Sequence, residues 1–474
     1  MTVDQSPSAI IVLDIGKTNV KLALIDAAGH MLAEQRRPNT VLMNGPYPHH
    51  DTDGIWDWLL ATCRTFAAQA DVTAIVPVTH GATAALVDDN GLIFPVLDYE
   101  APLAGVDYDA VRPAYAETCS PNLPVGLNLG RQLAWLQQRF PGEFARTRHI
   151  LMYPQYWAWR LCGVAASEVT SLGCHTDLWN PHRQEYSSLV TRMGWQTLMP
   201  PLAAPSAALG TLRPEVASAT GLSPACQVLC GIHDSNASLV RYLDRDHAGG
   251  ARTVLSTGTW MIAAAFGVSM AALREEADML ANTNAQGQPV ACMRFMGGRE
   301  FAELAGPHER GEACTLADLE RVMNRGTLAL PSFAAAGGPF AGRAGRIIGP
   351  EPQDARERYA LATLYLVLLT DYCLDALGAA GPLSVEGSFT ANQWFGVLLA
   401  GLRPRQKVSY SDDGSGTTCG AWLLRYPDSI PSASGKTVTP IDCESLLAYR
   451  QHWRDAVLND PHGTSHHNSG EGEA

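Results

Sequence analysis

Two blocks of the chain are rich in apolar and β-branched residues, and each block predicts a β-hairpin. In residues 10–26, IIVLDIGKTNVKLALID, two β-rich runs flank a short Gly-Lys-Thr-Asn turn. Residues 253–267, TVLSTGTWMIAAAFG, repeat the unit around a Thr-Gly-Thr turn. One copy lies near the start of the chain and the other lies just past its middle. The repeat therefore predicts two α/β lobes, each the size of a domain.

Apolar residues at helical spacing mark further elements between and after these hairpins. The predicted helices lie at residues 55–70, 129–140, 353–377 and 417–426. The charged segment 244–250 ends in Gly-Gly and suits a connection between lobes. We therefore expect an N-terminal lobe over residues 8–245, a C-terminal lobe over 250–458 and a disordered, His/Ser/Gly/Glu-rich tail over 459–474.

Composition and charge exclude several classes of protein. The 474 residues are 46% hydrophobic and 17% charged, which is typical of a globular protein. The formal net charge of −13 and the lack of a basic block argue against a nucleic-acid or anionic-membrane partner. The first ten residues lack a signal-peptide pattern, and the apolar stretch 361–369 is too short to span a bilayer. We expect a cytoplasmic protein.

Both predicted turns are candidates for holding phosphate groups. A tight turn such as Asp14-Ile-Gly-Lys-Thr-Asn19 lets backbone N–H groups approach phosphate oxygens closely. Asp14 could hold a magnesium ion through water, and Lys17 could add a positive charge. The hydroxyl and N–H groups of Ser256-Thr-Gly-Thr-Trp260 suit a second phosphate clamp. A plain surface hairpin with a capping aspartate explains the first turn about as well.

Two later segments carry polar residues where a strand is followed by a helix. In Cys230-Gly-Ile-His-Asp-Ser-Asn236, Asp234 follows the apolar run 227–230, which predicts a buried strand. At the end of such a strand its carboxylate could accept a proton from a sugar hydroxyl. Asp234 also fits the N-cap of the following helix. The segment 385–392 is a strand-to-helix turn of the kind that holds the nucleoside end of a nucleotide, and a structural helix cap explains it almost as well.

Taken in order along residues 10–426, these motifs resemble the FGGY family of carbohydrate kinases. That family has an α/β fold of two actin-like (ribonuclease H-like) ATPase lobes with a cleft between them. The resemblance implies that Asp234 is the catalytic base and that Asp14 is the magnesium ligand. The resemblance also implies that ATP contacts residues of the two turns, of the segment 385–392 and of Phe295-Met-Gly-Gly298. These residues are Gly16, Lys17, Thr18, Asn19, Thr257, Gly258, Thr259, Gly298, Gly387, Ser388 and Asn392.

The sugar side of the resemblance rests on other segments. His80-Gly-Ala-Thr83 leading to Asp98 resembles the sugar-binding segment of xylulokinases, whereas Trp260 after Gly-Thr resembles fuculose and rhamnulose kinases. The implied sugar contacts are His80, Gly81, Asp98, Tyr153, His233 and Asp234. His233 fits a structural, backbone-bonded histidine equally well. Phe389 replaces a small residue beside the expected adenine site, where it could stack on the base or narrow the slot.

The resemblance implies an ATP- and Mg²⁺-dependent kinase acting on a small ketose. The two sugar clues disagree, so both 6-deoxyketohexoses such as L-fuculose or L-rhamnulose and pentuloses such as xylulose stay open. Lobe closure would exclude water from the reacting groups. The partners are then the sugar and ATP, and the family also suggests a homodimer. The alternative is a non-catalytic sugar or nucleotide sensor of the same fold, because the segment at Ser388-Phe389 departs from the family pattern.

Overall fold

The computed structural model describes residues 7–243, 250–307, 313–411, 416–429, 435–441 and 444–460. Nearly all of the predicted connection at 244–250 and of the predicted tail at 459–474 lies outside the described residues. The chain divides into two compact units. The first unit comprises Met1–Ala248, Leu280–Val290 and Ser415–Ser432, and the second comprises Gly249–Met279, Ala291–Gly414 and Ala433–Ala474.

The first predicted hairpin is the centre of the main sheet of the first unit. Strand Ser8–Ile15 pairs antiparallel with Asn19–Asp26 and parallel with Asp71–Thr79. Its side chains from Ala9 to Leu13 are all buried, because neighbouring elements cover both faces of the sheet. Burying each isoleucine or leucine side chain contributes about 1.5–3 kcal/mol. In sheet order the strands are Ala208–Thr211, Gln227–Leu229, Asp71–Thr79, Ser8–Ile15, Asn19–Asp26 and Met31–Pro38, with Ile232–His233 also paired to Asp71–Thr79.

Helices and short strands of the first unit place polar segments at the ends of this sheet. Helix Asp234–Val240 begins directly after the short strand Ile232–His233. Two-residue strands Val41–Leu42 and His49–His50 pair with each other, and His49 bridges to Leu97. The principal helices are Thr52–Ala67, Leu129–Arg139, Tyr153–Cys162, Pro214–Thr220, Asp234–Val240 and Gly416–Arg425, and a smaller sheet contains Ala84–Asp88, Gly91–Leu92 and His149–Met152.

The second unit repeats the same strand arrangement around the second predicted hairpin. Strand Arg252–Thr257 pairs antiparallel with Met261–Phe266 and parallel with Leu383–Gly387. In each unit, therefore, an antiparallel hairpin is extended on one side by a parallel strand. In sheet order the strands of this unit are Pro289–Phe295, which belongs to it from Ala291 onward, Met261–Phe266, Arg252–Thr257, Leu383–Gly387, Val408–Tyr410 and Lys436–Thr437. Strand Met279–Thr283 lies almost entirely in the segment Leu280–Val290 of the first unit.

A long apolar helix forms the core of the second unit. Helix Ala355–Ala376 begins at Asp354, whose side chain accepts a hydrogen bond from the backbone N–H of Glu357. It is long and apolar enough to cross a bilayer, but 78% of its most apolar window is buried inside the fold, which is the pattern of a core helix. The other principal helices are Gly297–Ala305, Leu316–Asn324, Phe395–Leu402 and Glu444–Leu458.

Helix Gly416–Arg425 lies late in the sequence but packs in the first unit. The indole N–H of Trp422 donates to the backbone oxygen of Asp26 at 3.0 Å. A side chain at Gly420 would lie 1.7 Å from the backbone oxygen of Ala237, so this helix and helix Asp234–Val240 are in close contact. The first unit thus includes segments that follow residue 245 in the sequence, Leu280–Val290 and Ser415–Ser432. The predicted lobe boundaries stay a prediction.

Candidate active site

Asp14 lies at the end of the first buried strand, beside a lysine that the sequence interpretation missed. Its Oδ2 is 3.1 Å from the Nζ of Lys21, which is its direct partner in the antiparallel register. Burial raises the pKa of Asp14, Lys21 opposes this shift, and the carboxylate of Asp234 raises the pKa further. Because the carboxylate of Asp234 acts on that of Asp14, the two side chains lie in one electrostatic environment. The register of the predicted hairpin could have revealed Lys21, since cross-strand partners of opposite charge attract.

Asp234 is the first residue of its helix, and its carboxylate does not cap that helix in the usual way. Its Oδ1 accepts a hydrogen bond from the backbone N–H of Ser235 at 2.6 Å. The side chain is 29% exposed, so a ligand can reach it. Burial raises the pKa of Asp234, and His80 lowers it to a smaller extent. A carboxylate with a raised pKa is a stronger proton acceptor than an ordinary aspartate.

The ring of His233 lies against the carboxylate of Asp234. Its Nδ1 is 3.1 Å from the amide nitrogen of Asn236, which can only donate, so the proton of His233 is on Nε2. That Nε2 is 3.2 Å from Oδ1 of Asp234. Burial lowers the pKa of His233 to about 4, so the ring is neutral near pH 7 and the contact is not an ion pair. A neutral ring therefore packs beside the carboxylate of Asp234.

The predicted sugar segment at His80 packs directly on His233. A side chain on Gly81 would lie 2.8 Å from Nε2 of His233, so only glycine fits there. The Nδ1 of His80 donates to the backbone oxygen of Gly81 at 3.0 Å. Within the described part of the chain, Nε2 of His80 has no hydrogen-bond partner. Burial lowers the pKa of His80, and the attraction of Asp234 opposes this shift. The structure thus brings together His80, Gly81, His233 and Asp234.

The predicted phosphate-binding Lys17 is paired with two carboxylates. Its Nζ forms a hydrogen bond and salt bridge with Asp98 and lies 3.1 Å from Glu100. The same ammonium group lies over the ring of Tyr99, 4.5 Å from its centroid. Lys17 therefore connects the first turn to the predicted sugar-side Asp98, an arrangement that no local motif signals.

The rest of the first turn is held by its own backbone and by one asparagine. The N–H of Gly16 donates to the oxygen of Asn19 at 2.9 Å. The side-chain amide of Asn39, another residue that the sequence interpretation missed, donates to the oxygen of Gly16 at 2.7 Å. The side chains of Thr18 and Asn19 are exposed, so they are accessible to a ligand.

Tyr153 lies beneath this cluster and contacts a histidine that the sequence interpretation also missed. The ring of Tyr153 is fully buried and stacks on His50, with centroids 5.6 Å apart. His50 lies 5.0 Å from the ring of His80. Its backbone N–H donates to the oxygen of Val96, which anchors this segment just before Asp98. Because this contact joins residues far apart in sequence, periodicity and motifs could not predict it.

In the second unit, the turn of the second hairpin contains the predicted ATP-binding Gly258, and two further predicted glycines, Gly298 and Gly387, approach this turn closely. A side chain on Gly298 would lie 2.1 Å from the oxygen of Gly258. A side chain on Gly387, whose φ is 88°, would lie 2.1 Å from the oxygen of Thr257. Thr259 follows in the turn and is exposed. Helix Gly297–Ala305 begins at this point, and the free N–H groups of a helix N-terminus attract anions.

Two of the predicted ATP-binding side chains in the second unit have structural partners. The hydroxyl of Thr257 donates to the oxygen of Glu386 at 2.6 Å. The Oδ1 of Asn392 accepts from the backbone N–H groups of Trp394 and Phe395, as in the helix-cap alternative. The amide nitrogen of Asn392 donates to a threonine hydroxyl of the core helix. A contact of Asn392 with nucleotide stays a prediction.

The segment around Ser388 presents one exposed and one packed residue. Ser388 is exposed, as a nucleotide contact requires. The ring of Phe389 lies 5.1 Å from that of Phe301 and 5.7 Å from that of Phe395, so it belongs to an aromatic cluster. Phe389 thus packs against the helix that begins at Gly297.

A magnesium ion would find a single carboxylate at the first turn. Among the described residues, no group of three or more His, Cys, Asp or Glu side chains is arranged to hold a metal. Mg²⁺ is commonly held by one or two carboxylates together with water and substrate phosphates. Asp14, with Asp234 nearby, fits this mode of binding, although Lys21 already compensates part of its charge.

Two regions of the chain match models of known protein families. Residues 115–240 match the N-terminal domain of the FGGY family of carbohydrate kinases. Residues 249–433 match the model described as carbohydrate kinase FGGY, C-terminal domain. The crystal structure of a carbohydrate kinase from Novosphingobium aromaticivorans is 39% identical, with a TM-score of 0.89, over 96% of this chain and 99% of that chain. The predicted family resemblance and the fold of two actin-like lobes are confirmed.

Curated relatives are more distant and are matched over part of their length. The L-fuculokinase of Salmonella typhi is 26% identical over 269 residues, which are 53% of this chain and 55% of the relative. The L-xylulose/3-keto-L-gulonate kinase of Escherichia coli (strain K12) is 24% identical over 248 residues, 47% of each. The chain thus spans about half the length of these relatives.

Proposed function

Because the chain belongs to the FGGY family of carbohydrate kinases, we propose that it transfers the terminal phosphoryl group of ATP to a hydroxyl of a small sugar. The acceptor is a ketose, either a 6-deoxyketohexose such as L-fuculose or L-rhamnulose or a pentulose such as xylulose. One observation carries this proposal: the accessible carboxylate of Asp234 has a raised pKa and lies 3.2 Å from the neutral ring of His233.

Asp234 acts as the general base in this proposal. It accepts the proton of the attacking sugar hydroxyl as the new oxygen–phosphorus bond forms, and the bond between the β–γ bridging oxygen and the γ-phosphorus breaks. The hydrogen bond from the backbone N–H of Ser235 and the packing of His233 restrict the orientation of Oδ1 of Asp234, which reduces the entropy lost on reaching the reactive geometry. His80, Gly81, Asp98 and Tyr153 are the proposed residues of the sugar site, together with His233.

Phosphate binding is assigned to the two hairpin turns. The backbone of Lys17, Thr18 and Asn19 and that of Thr257, Gly258 and Thr259 would donate N–H groups to phosphate oxygens, and Gly16 would allow their close approach. Gly298 adds the N-terminus of its helix, and Gly387, Ser388 and Asn392 form the proposed nucleoside side. Asp14 would hold Mg²⁺, which supplies positive charge to the phosphates when bound.

We also propose that the enzyme is cytoplasmic and homodimeric. Its binding partners are then the sugar and ATP. The net charge of −13 supports the absence of a nucleic-acid or anionic-membrane partner. Size-exclusion chromatography with light scattering distinguishes a dimer from a 50.9 kDa monomer.

A coupled ADP-release assay over a panel of ketoses tests the activity. The panel contains L-fuculose, L-rhamnulose, D-xylulose, L-xylulose and ribulose, each with ATP and Mg²⁺. We expect sugar-dependent ADP formation with at least one of them. Sugar binding without ADP formation across the panel would contradict the proposal and favour the non-catalytic sensor, which no specific observation favours at present.

A further inference from the structure

The charges around Asp234 are unbalanced in favour of carboxylates. Four carboxylates lie in this cluster, those of Asp14, Asp98, Glu100 and Asp234, against the two ammonium groups of Lys17 and Lys21. Both cations are paired: Lys21 with Asp14, and Lys17 with Asp98 and Glu100.

One more cation influences the cluster, and it has its own partner. Arg36 acts on Asp14 electrostatically, but its Nε lies 2.5 Å from a carboxylate oxygen of Glu34. In the described part of the chain, no lysine or arginine that the structure places at this cluster is therefore left to receive a substrate carboxylate. A magnesium–ATP complex carries net negative charge, so nucleotide binding does not reverse the sign of the local charge.

The remaining polar groups at the cluster are uncharged rings. His50 is 1% exposed, and neither of its ring nitrogens has a hydrogen-bond partner among the residues described. Nε2 of His80 is likewise without one. Burial lowers the pKa of both rings, so they are neutral near pH 7. The neutral ring of His50 has one donor and one acceptor nitrogen, and Nε2 of His80 is an acceptor because Nδ1 donates to Gly81. These groups match a hydroxyl group, which also donates and accepts.

We propose that the acceptor site selects uncharged ketoses and rejects sugar acids, because Asp98 and Glu100 neutralise the one lysine that could receive a carboxylate. This inference rests on the proposed function and specifies its substrate class. A hydroxyl-bearing ligand satisfies neutral donors and acceptors without adding charge. A sugar carboxylate would lose its hydration and meet an excess of negative charge, with no cation to compensate either cost.

The test compares neutral ketoses with two sugar acids, 3-keto-L-gulonate and D-gluconate, by kcat/KM. At low ionic strength we expect the best neutral ketose to exceed both acids by about 100-fold, the effect of two like-charge contacts of about 1.4 kcal/mol each. At 0.5 M KCl the ratio should fall several-fold, because salt screens the repulsion.

The variant Asp98→Asn/Glu100→Gln frees Lys17, and Glu100→Gln alone frees it in part while leaving the buried Asp98 in place. We expect the double variant to reduce the neutral-to-acid ratio by about tenfold, the effect of one relieved charge contact, and the single variant to reduce it less. The matched control is Asp88→Asn/Asp89→Asn, which removes two carboxylates from the ion pairs with Arg146 and Arg148 at another surface. The control should leave the ratio unchanged.

The outcomes separate this inference from the proposed function. Turnover of a sugar acid as efficient as that of the best neutral ketose overturns the inference and leaves the kinase activity intact. An equal change of the ratio in the control variant, or no response to salt and to Glu100→Gln, also overturns it. If the wild type phosphorylates neither class, the proposed function fails and the inference fails with it.

Discussion

At the scale of single residues, the pair His233 and Asp234 places a neutral histidine ring beside a carboxylate without an ion pair. The donor-only amide nitrogen of Asn236 fixes the tautomer of His233, and burial keeps the ring neutral. The Nε2 atom then lies 3.2 Å from Oδ1 of the carboxylate. A protonated histidine at the same place would hold Asp234 in its charged form and make it a weaker base.

The first prediction concerns Asp234 itself. Asp234→Asn keeps the size of the side chain but removes the proton acceptor, so we expect kcat to fall by about 10²–10⁴-fold. Nucleotide binding and the circular dichroism spectrum should stay unchanged, because the carboxylate makes only a local bond to Ser235. Steady-state kinetics and ATP-analogue titration measure both effects. Turnover close to the wild-type value would refute the assignment of Asp234 as the base.

The second prediction concerns stability at acid pH. The pKa of His233 is about 4 in the folded protein, against an ordinary histidine value of 6.5, so below pH 6.5 the unfolded chain binds more protons than the folded one. Stability should therefore fall as the pH falls from 6.5 towards 4, and His233 contributes about 2 kcal/mol of this loss at pH 5.

His233→Gln removes this titration but keeps a donor and an acceptor. We expect its unfolding midpoint in urea to change less between pH 7 and pH 5 than that of the wild type. Glu168, whose pKa burial raises to about 7, acts in the opposite direction, but it is common to both proteins and cancels in the comparison. Parallel pH profiles for the two proteins would contradict the prediction.

At the scale of elements, glycine contacts determine how the phosphate segments of the second unit meet. Helix Gly297–Ala305 approaches the second turn so closely that no side chain fits between Gly298 and Gly258. Gly387 makes the same kind of approach to Thr257 from the end of a parallel strand. Three elements that are far apart in sequence therefore expose backbone around one turn, and only glycine permits this distance.

The third prediction uses this contact. Gly298→Ala places a methyl group 2.1 Å from the oxygen of Gly258, so the helix and the turn must separate. We expect KM for ATP to rise by at least about tenfold and stability to fall by about 1–3 kcal/mol, as is typical of overpacking. Gly142→Ala is the matched control, because a side chain there meets no atom within 4 Å. An unchanged KM for ATP in Gly298→Ala would contradict the proposed phosphate contact.

At the scale of the whole molecule, the first unit depends on a segment from the far end of the chain. Helix Gly416–Arg425 buries Ala421 and Trp422 in the same apolar cluster as Ile10 and Val12 of the first strand. This cluster covers one face of the main sheet of the first unit. A unit assembled from distant segments is stabilised only when both segments are present.

The fourth prediction follows from that dependence. A fragment of residues 8–245 lacks helix Gly416–Arg425, so it should expose the apolar face that this helix covers. We expect strong binding of a hydrophobic dye and no cooperative thermal transition, in contrast to the full chain. A sharp transition of the fragment near the melting temperature of the full chain would show that the first 245 residues fold alone.

Local patterns were sufficient to predict the two hairpins and four of the principal helices, Thr52–Ala67, Leu129–Arg139, Ala355–Ala376 and Gly416–Arg425. The apolar runs and the turn at residues 16–19 determined a hairpin whose strands are Ser8–Ile15 and Asn19–Asp26. The predicted helix 353–377 is found as Ala355–Ala376. Such elements are readable because side chains of one face recur at a fixed period along the sequence. Motif order was likewise sufficient to indicate the family.

The contacts that form the site were decided by the tertiary structure. No periodicity relates Lys17 to Asp98, His50 to Tyr153, or Gly298 to Gly258, because each pair is joined by packing of separate elements. The sequence by itself determined which residues have the chemistry for the site and which elements carry them. The tertiary structure alone decided which charges cancel and which rings stay neutral, since both depend on the distances and burial that packing creates.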